Sequence, residues 1–306
     1  MIFSSKFHVV VLPKCDFLLL GGDLFHENKP TRNTLYRTME MFERFCYGER
    51  GINFEVVSSQ ETNFKQEVNF QDPFRSISLP VFSIHGNHDD PASDGCRVPL
   101  SAMDLLRASH VMNYFGCQME TDNIVVNPVL FRKGGIKVAV YGLGHIRDER
   151  LNRMWQNRKV RFLRPREEDG RDEFLNIFVV HQNRDYGRGK GNCVHESMIP
   201  EWMDVVIWGH EHECCINPTE SITGSFLISQ PGSSVAISLV EGEAVRKHVA
   251  ILRVKKGEDG GPVHKMDIIP LKQVRPFVIE EVSLGEGCAI NIRSNDPHVF
   301  DLFLLI

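Results

Sequence analysis

The sequence predicts an α/β fold of layered sheets. Two observations carry that prediction. Short apolar runs of strand length recur along the chain, and each opens at once into polar, chemistry-bearing residues. Between them lie segments whose apolar residues fall at helical spacing. Near-continuous apolar strands are the mark of strands buried on both faces, and in open α/β folds functional groups gather where such strands end.

Taken in order, Asp16 to Leu20 ("DFLLL") leads into "GGDLFHE", and "VFSI" from Val81 leads into "HGNHDD". Lys137 to Tyr141 ("KVAVY") leads into "GLGHIRDE", and Leu175 to Val180 ("LNIFVV") into "HQNR". Asp204 to Trp208 ("DVVIW") leads into "GHEHE", and Ser225 to Ser229 ("SFLIS") into "QPGSS". A helix is expected over Thr31 to Cys46, with Leu35, Met39, Phe42 and Phe45 on one stripe. A second is expected over Pro99 to Ala108, with Leu100, Met103, Leu105 and Leu106. Asn53 to Ser78 is polar and weakly periodic and reads as an extended insertion. Gln182 to Ser197 is rich in glycine and charge and reads as a mobile loop. Lys255 to Pro262 ("KKGEDGGP") reads as a linker, which divides the chain into a domain over 1–256 and a second unit over 263–306.

Composition narrows the function. At 306 residues there is ample length for a core, and 42% apolar with 25% charged residues is ordinary for a soluble globular protein. No apolar run approaches the roughly 20 residues a membrane helix needs, and no signal peptide is read at the start. The net charge of −5 excludes a non-specific basic coat for nucleic acid, so any such contact must be a local patch. Eight cysteines without a C-x-x-C pair read as reduced thiols.

The polar ends of the strands supply a coherent donor set: Asp23 and His26, Asn87 and His88, His181, His210 and His212. Carboxylate, amide and imidazole together suit borderline-hard divalent ions such as Mn²⁺, Fe²⁺ or Zn²⁺. No thiolate is among them, which argues against a structural zinc site. Gly21, Gly22, Gly86 and Gly209 precede the donors and permit the tight turns that aim them.

This ordered set of G-D, G-N-H, a strand ending in His, and G-H-x-H resembles the calcineurin-like metallophosphoesterases. Within that superfamily "LLGGDLFHENKPTR", "FSIHGNHDDP", "YGLGHIRDERL", "VVHQNR", "VIWGHEHEC" and "ISQPGSSV" are similar to the eukaryotic double-strand-break repair nucleases, the nuclease subunits of the MRN complex. The resemblance spans roughly Asp16 to Leu284. It implies a layered two-sheet metallophosphoesterase fold with the start of a small capping domain. It also implies a nuclear, Mn²⁺-dependent DNA nuclease, 3′–5′ exonuclease and single-strand endonuclease, acting in double-strand-break repair. Two departures qualify this. The family opens on a strand with Asp-x-His, which "MIFSSKFHVVVLPKC" lacks, and the capping domain stops early. The chain is therefore expected to be a truncated form with impaired activity. The alternative is a catalytically dead variant that only binds partners or DNA.

By the same resemblance Asp23 bridges two metal ions, and Asn87, His181 and His210 complete one site. His212 belongs to the other, so one full Mn²⁺ site of the family's two is expected. His88 is implied as the proton donor to the leaving 3′ oxygen, and His26 as a neighbour stabilising transition-state charge. Asp89 and Asp90 are expected to cap loops or support the donors. DNA ends would be tracked by the stretch His145 to Arg166, which carries eight Arg or Lys against two acids. Arg147, Arg150 and Arg153 are the candidates there, with Arg184 from the glycine-rich loop, and Arg188 and Lys190 after it. A homodimer contact is expected from Leu35 and Met39 with Met103 and Leu106. The implied partners are the ABC-type ATPase subunit and the regulatory subunit of the MRN complex, the latter docking near Asn53 to Ser78.

Overall fold

A computed structural model of the chain describes residues 15–280, apart from 94, 96–97, 119–121, 186–190 and 273. Among these the strands follow in chain order as β1 (Leu18–Leu20), β2 (Glu55–Val56), β3 (Val81–Ser83), β4 (Asn113–Tyr114), β5 (Ile124–Val126), β6 (Pro128–Lys133) and β7 (Ile136–Leu143). They continue as β8 (Val160–Phe162), β9 (Phe174–His181), β10 (Val205–Gly209), β11 (Cys215–Glu220), β12 (Leu227–Gln230), β13 (His248–Lys256) and β14 (Pro262–Pro270). The helices are α1 (Arg32–Cys46), α2 (Gln60–Phe64), α3 (Ala102–Ala108), α4 (Asp148–Gln156) and α5 (Glu241–Ala244).

Two sheets face each other. The larger has the order β11-β12-β10-β9-β7-β6-β2, with β12, β10, β9 and β7 parallel. The smaller is the parallel set β1-β3-β4. Alternation along each strand explains the apolar runs. Leu175, Ile177 and Val179 of β9 point into a cluster with Phe82 and Ile84 of the small sheet. Phe174, Phe178 and Val180 point the other way, into a cluster with Leu151 and Met154 of α4. The outer face of the small sheet, with Val81, packs on Phe42 of α1 and on Met103 and Leu106 of α3. Each fully buried Phe or Met contributes roughly 1.5–3 kcal/mol, so these strands are held from both sides. The mixed α/β, layered two-sheet fold is the one expected, and all six strand readings correspond to observed strands.

Local chemistry sets the helix starts. Thr31 caps α1 by accepting the Thr34 N–H at 3.2 Å. Ser101 and Asp104 form a capping box, so α3 begins at Ala102 and Pro99 and Leu100 lie outside it. That corrects the longer helix expected from Pro99.

Four further expectations change. Met103 and Leu106 are 0% exposed, so they belong to this chain's own core and cannot form a dimer surface, while Leu35 and Met39 are half-buried against the same core. Asn53 to Ser78 is no external insertion: it holds β2 and α2, and Val56, Phe64 and Val68 enter the inter-sheet core. Its apolar residues are sparse and irregularly spaced, with Val57 and Phe74 exposed, which hid the inward ones from a periodicity argument. Residues 257–261 are the turn of the antiparallel β13–β14 hairpin, closed by Gly257 N–H on the Gly261 carbonyl (2.7 Å), rather than a linker. Within the glycine-rich segment, Gln182 is fully buried and Arg184 bridges to Val194. The N-terminal residues, Arg188, Lys190 and 281–306 lie outside the described residues.

Candidate metal centre

Parallel strands bring their C-terminal ends to one side, and the donors sit there. Asp23 follows β1, Asn87 follows β3, His181 ends β9 and His210 follows β10. One ligand atom each from Asp23, His181 and His210 lies within 4.8 Å of the others. Asn87 Oδ1 joins them, 3.2 Å from His181 Nε2 and 2.8 Å from His210 Nδ1. Asp23 Oδ2 is 3.2 Å from His181 Nε2.

The turns are strained to achieve this. Asp23 (φ 51°) and His210 (φ 77°) both adopt the left-handed region that side chains disfavour, a conformation that clusters at functional sites. Glycine is required at Gly86, where a Cβ would collide with Asp23 Oδ1, and at Gly22 (φ 94°), where it would meet the ring of His181.

Hydrogen bonds fix which nitrogen of each imidazole looks inward. His181 Nδ1 donates to the Gly21 carbonyl (2.7 Å), leaving Nε2 toward Asp23 and Asn87. His210 Nε2 donates to Asn183 Oδ1 (3.0 Å), whose amide is itself oriented by donating to Asp148 Oδ2 (2.7 Å). Burial, and then the neighbouring His181, push His210 down to about 3, so its imidazole is neutral and has one N–H. That N–H is committed to Asn183, and the Nδ1 lone pair therefore faces the Asn87 oxygen. Excess lone pairs converge on one point together with the Asp23 carboxylate. The Asp23 carboxylate is itself held in place by accepting the His88 N–H at 2.9 Å. A divalent cation satisfies such a set, and the second bond on each imidazole is the usual means of orienting metal-bound histidines.

His26 and His88 stack beside this point, with ring centroids 5.0 Å apart and an angle of 19°. His212 is not among the clustered donors. Its Nδ1 lies 3.3 Å from Glu243 Oε1, and it shares a cavity of about 420 Å³ with Asn87, His88 and His210. Asp89 is fully buried and accepts N–H groups from Gly86 (2.6 Å), Leu24 (2.7 Å) and Phe25 (3.4 Å), tying the β1 and β3 loops together. Asp90 accepts from Asn28 Nδ2 (3.0 Å), a similar clasp between loops.

Sequence reasoning missed three residues. His145 stacks on His210 at 6.2 Å, and burial lowers it to about 4. His85 is also held near 4 by burial, with Tyr114 Oη 2.8 Å from its Nδ1. Both follow strand ends, the signal that identified the others. Asn183 had only its position two residues after His181 to mark it.

Of the basic candidates, Arg147, Arg150 and Arg153 line one cavity of about 670 Å³ with Lys159, Asp122 and Glu149. Arg184 does not join them. Its guanidinium pairs with Glu196 (3.1 Å) and lies over the Trp208 ring (5.6 Å), with 17% of the side chain exposed, so it is turned inward.

Comparison with known proteins places this geometry. The chain is 47% identical to the double-strand break repair protein MRE11 of Mus musculus over 303 residues, 98% of this chain and 40% of that protein. It is also 47% identical to MRE11 of Homo sapiens over 94% of this chain and 38% of that one. With the double-strand break repair protein mus-23 of Neurospora crassa it shares 47% identity, covering 92% of this chain and 37% of that one. The chain thus spans about 40% of the length of these relatives. Residues 4–214 match the family described as calcineurin-like phosphoesterase, and with a match over more than half its length the chain belongs to that family.

Proposed function

We propose that this chain carries the catalytic site of a divalent-metal phosphodiesterase that cleaves DNA at double-strand breaks. The observation that supports this most directly is the convergence of Asp23, Asn87, His181 and His210 on one point, a donor set that a divalent cation satisfies. The donor set of oxygen and imidazole suits Mn²⁺. When bound, such an ion polarises phosphate oxygens and activates water for attack.

The chain's own residues supply the rest. Gly21 and Asn183 hold the two imidazoles in their inward tautomers. His88, stacked on His26 at the rim, holds the proton for the leaving 3′ oxygen. The Arg147, Arg150, Arg153 and Lys159 cavity provides a local positive surface for the phosphate backbone on an otherwise acidic chain. The similarity to double-strand break repair proteins favours DNA as the substrate, a nuclear location, and assembly with an ABC-type ATPase and a regulatory subunit.

Incubation with end-labelled duplex and single-stranded DNA in Mn²⁺ tests the reading. Release of nucleotides that is lost in Asp23→Asn and in His210→Gln supports it. Binding of DNA without cleavage under any divalent ion would sink it in favour of a module that only binds.

A further inference from the structure

We infer that the chain holds a second metal site, for a thiophilic divalent ion such as Zn²⁺, built from Cys193, His195 and Asp185. Their ligand atoms lie within 4.8 Å of one another. Cys193 Sγ faces His195 Nε2 at 3.9 Å, and Asp185 Oδ2 accepts from His195 Nδ1 at 2.9 Å. The carboxylate therefore fixes the tautomer that turns the Nε2 lone pair toward sulfur, the usual carboxylate–histidine arrangement at a metal. Zinc bound about 2.3 Å from sulfur and about 2.0 Å from nitrogen separates two tetrahedral donors by roughly 3.6 Å, close to the spacing present. Cys193 is 1% exposed, which shields a thiolate from solvent. The His195 and Asp185 side chains are 26% and 48% exposed and give an ion its route in. Binding converts the Cys193 thiol to a thiolate and releases one proton to the buffer.

This site differs in kind from the one around Asp23. That one offers only oxygen and nitrogen and suits Mn²⁺, whereas a thiolate selects softer ions. Its place gives it a consequence. Arg184 bridges to Val194, and the Val194 N–H donates to the Asn183 carbonyl (3.0 Å). Cys193 and His195 lie on one side of this neck and Asp185 on the other, so an ion on the first two, with Asp185 held to His195, braces the neck that carries Asn183, the residue orienting His210.

Cobalt is the probe, because thiolate coordination gives Co²⁺ a ligand-to-metal charge-transfer band that oxygen and nitrogen ligands do not. Co²⁺ is titrated into the metal-stripped chain, and Zn²⁺ is then added. The wild type should show the band at one ion per chain, Zn²⁺ should bleach it, and Zn²⁺ should raise the melting temperature. Cys193→Ser should lose the band and keep only the shift that Zn²⁺ gives at the Asp23 site. His195→Gln, at a partly exposed position that can be changed without opening the core, should weaken binding at least about tenfold. Cys214→Ser is the control, since Cys214 Sγ lies 3.6 Å from His248 Nδ1, and it should change nothing. A wild type without the band, a band that survives in Cys193→Ser, or unaltered affinity in His195→Gln would each overturn the site. Should Cys193→Ser not fold, His195→Gln decides alone.

Discussion

Asn87 presents a single amide oxygen to two imidazoles, and His88 next to it presents its ring to His26 instead. On the proposed function adjacent residues divide the work, one to hold the ion and one to face the leaving group. His88→Ala should lower the cleavage rate by roughly 10²–10⁴-fold while Mn²⁺ content after dialysis stays at one equivalent per chain. Loss of the ion in that variant would make His88 a ligand instead. Glu196 shows a different balance. Burial raises its carboxyl, but hydrogen bonds from Ser221, Arg184 and the Ile222 N–H outweigh it, and it sits below the usual range. A depressed folded-state pKa stabilises fully above the unfolded value, and the contribution disappears as pH falls through the lower folded value. Glu196→Gln should therefore cost about 2 kcal/mol at neutral pH in urea unfolding, and the gap to wild type should close on acidification. A gap that stays constant below the carboxylate range would contradict the pairing with Arg184.

At the level of elements, the strands were legible because their physics is local to a few residues. "LNIFVV" is apolar but for Asn176 since β9 is covered on both faces, and His181 follows at the end of the strand. Asp23, His181 and His210 were legible for the same reason, each being the first polar residue after such a run, whereas Asn87 comes two residues after His85. Orientation was not: nothing near Gly21 or Asn183 in sequence says that each holds an imidazole more than two dozen residues or a full sheet away. Faces of helices were also misread. The pattern of α3 marks Met103 and Leu106 as apolar, but pattern alone does not say whether an apolar face covers its own sheet or another molecule. Here the answer is its own sheet. Met103→Asp should accordingly destabilise by about 4 kcal/mol or more, through a carboxylate with no partner in the core. A variant that keeps its wild-type melting temperature would return α3 to the surface.

For the whole molecule, the remaining candidate for self-association is the outer side of α1, where Tyr36 is 59% exposed beside Leu35. If two copies meet there, Tyr36→Asp should convert a sedimenting dimer to a folded monomer, because a symmetric contact buries the same carboxylate twice. A wild type that sediments as a monomer would remove the contact altogether. The parallel sheets also bear on time. Strand β1 pairs with β3 in parallel, Leu18 against Val81, and β7 pairs with β9, Lys137 against Phe174. Parallel neighbours cannot be joined by a tight hairpin, so each pairing waits for a long stretch of chain to close, and such distant closures are slow. The hairpins β6–β7 and β13–β14 need no such wait. Every donor around Asp23 stands at the end of a late pairing, and none on a hairpin. During refolding, protection of the β6–β7 and β13–β14 amides from hydrogen exchange should therefore run ahead of Mn²⁺ capture, and the ability to hold the ion should be the last property the chain acquires.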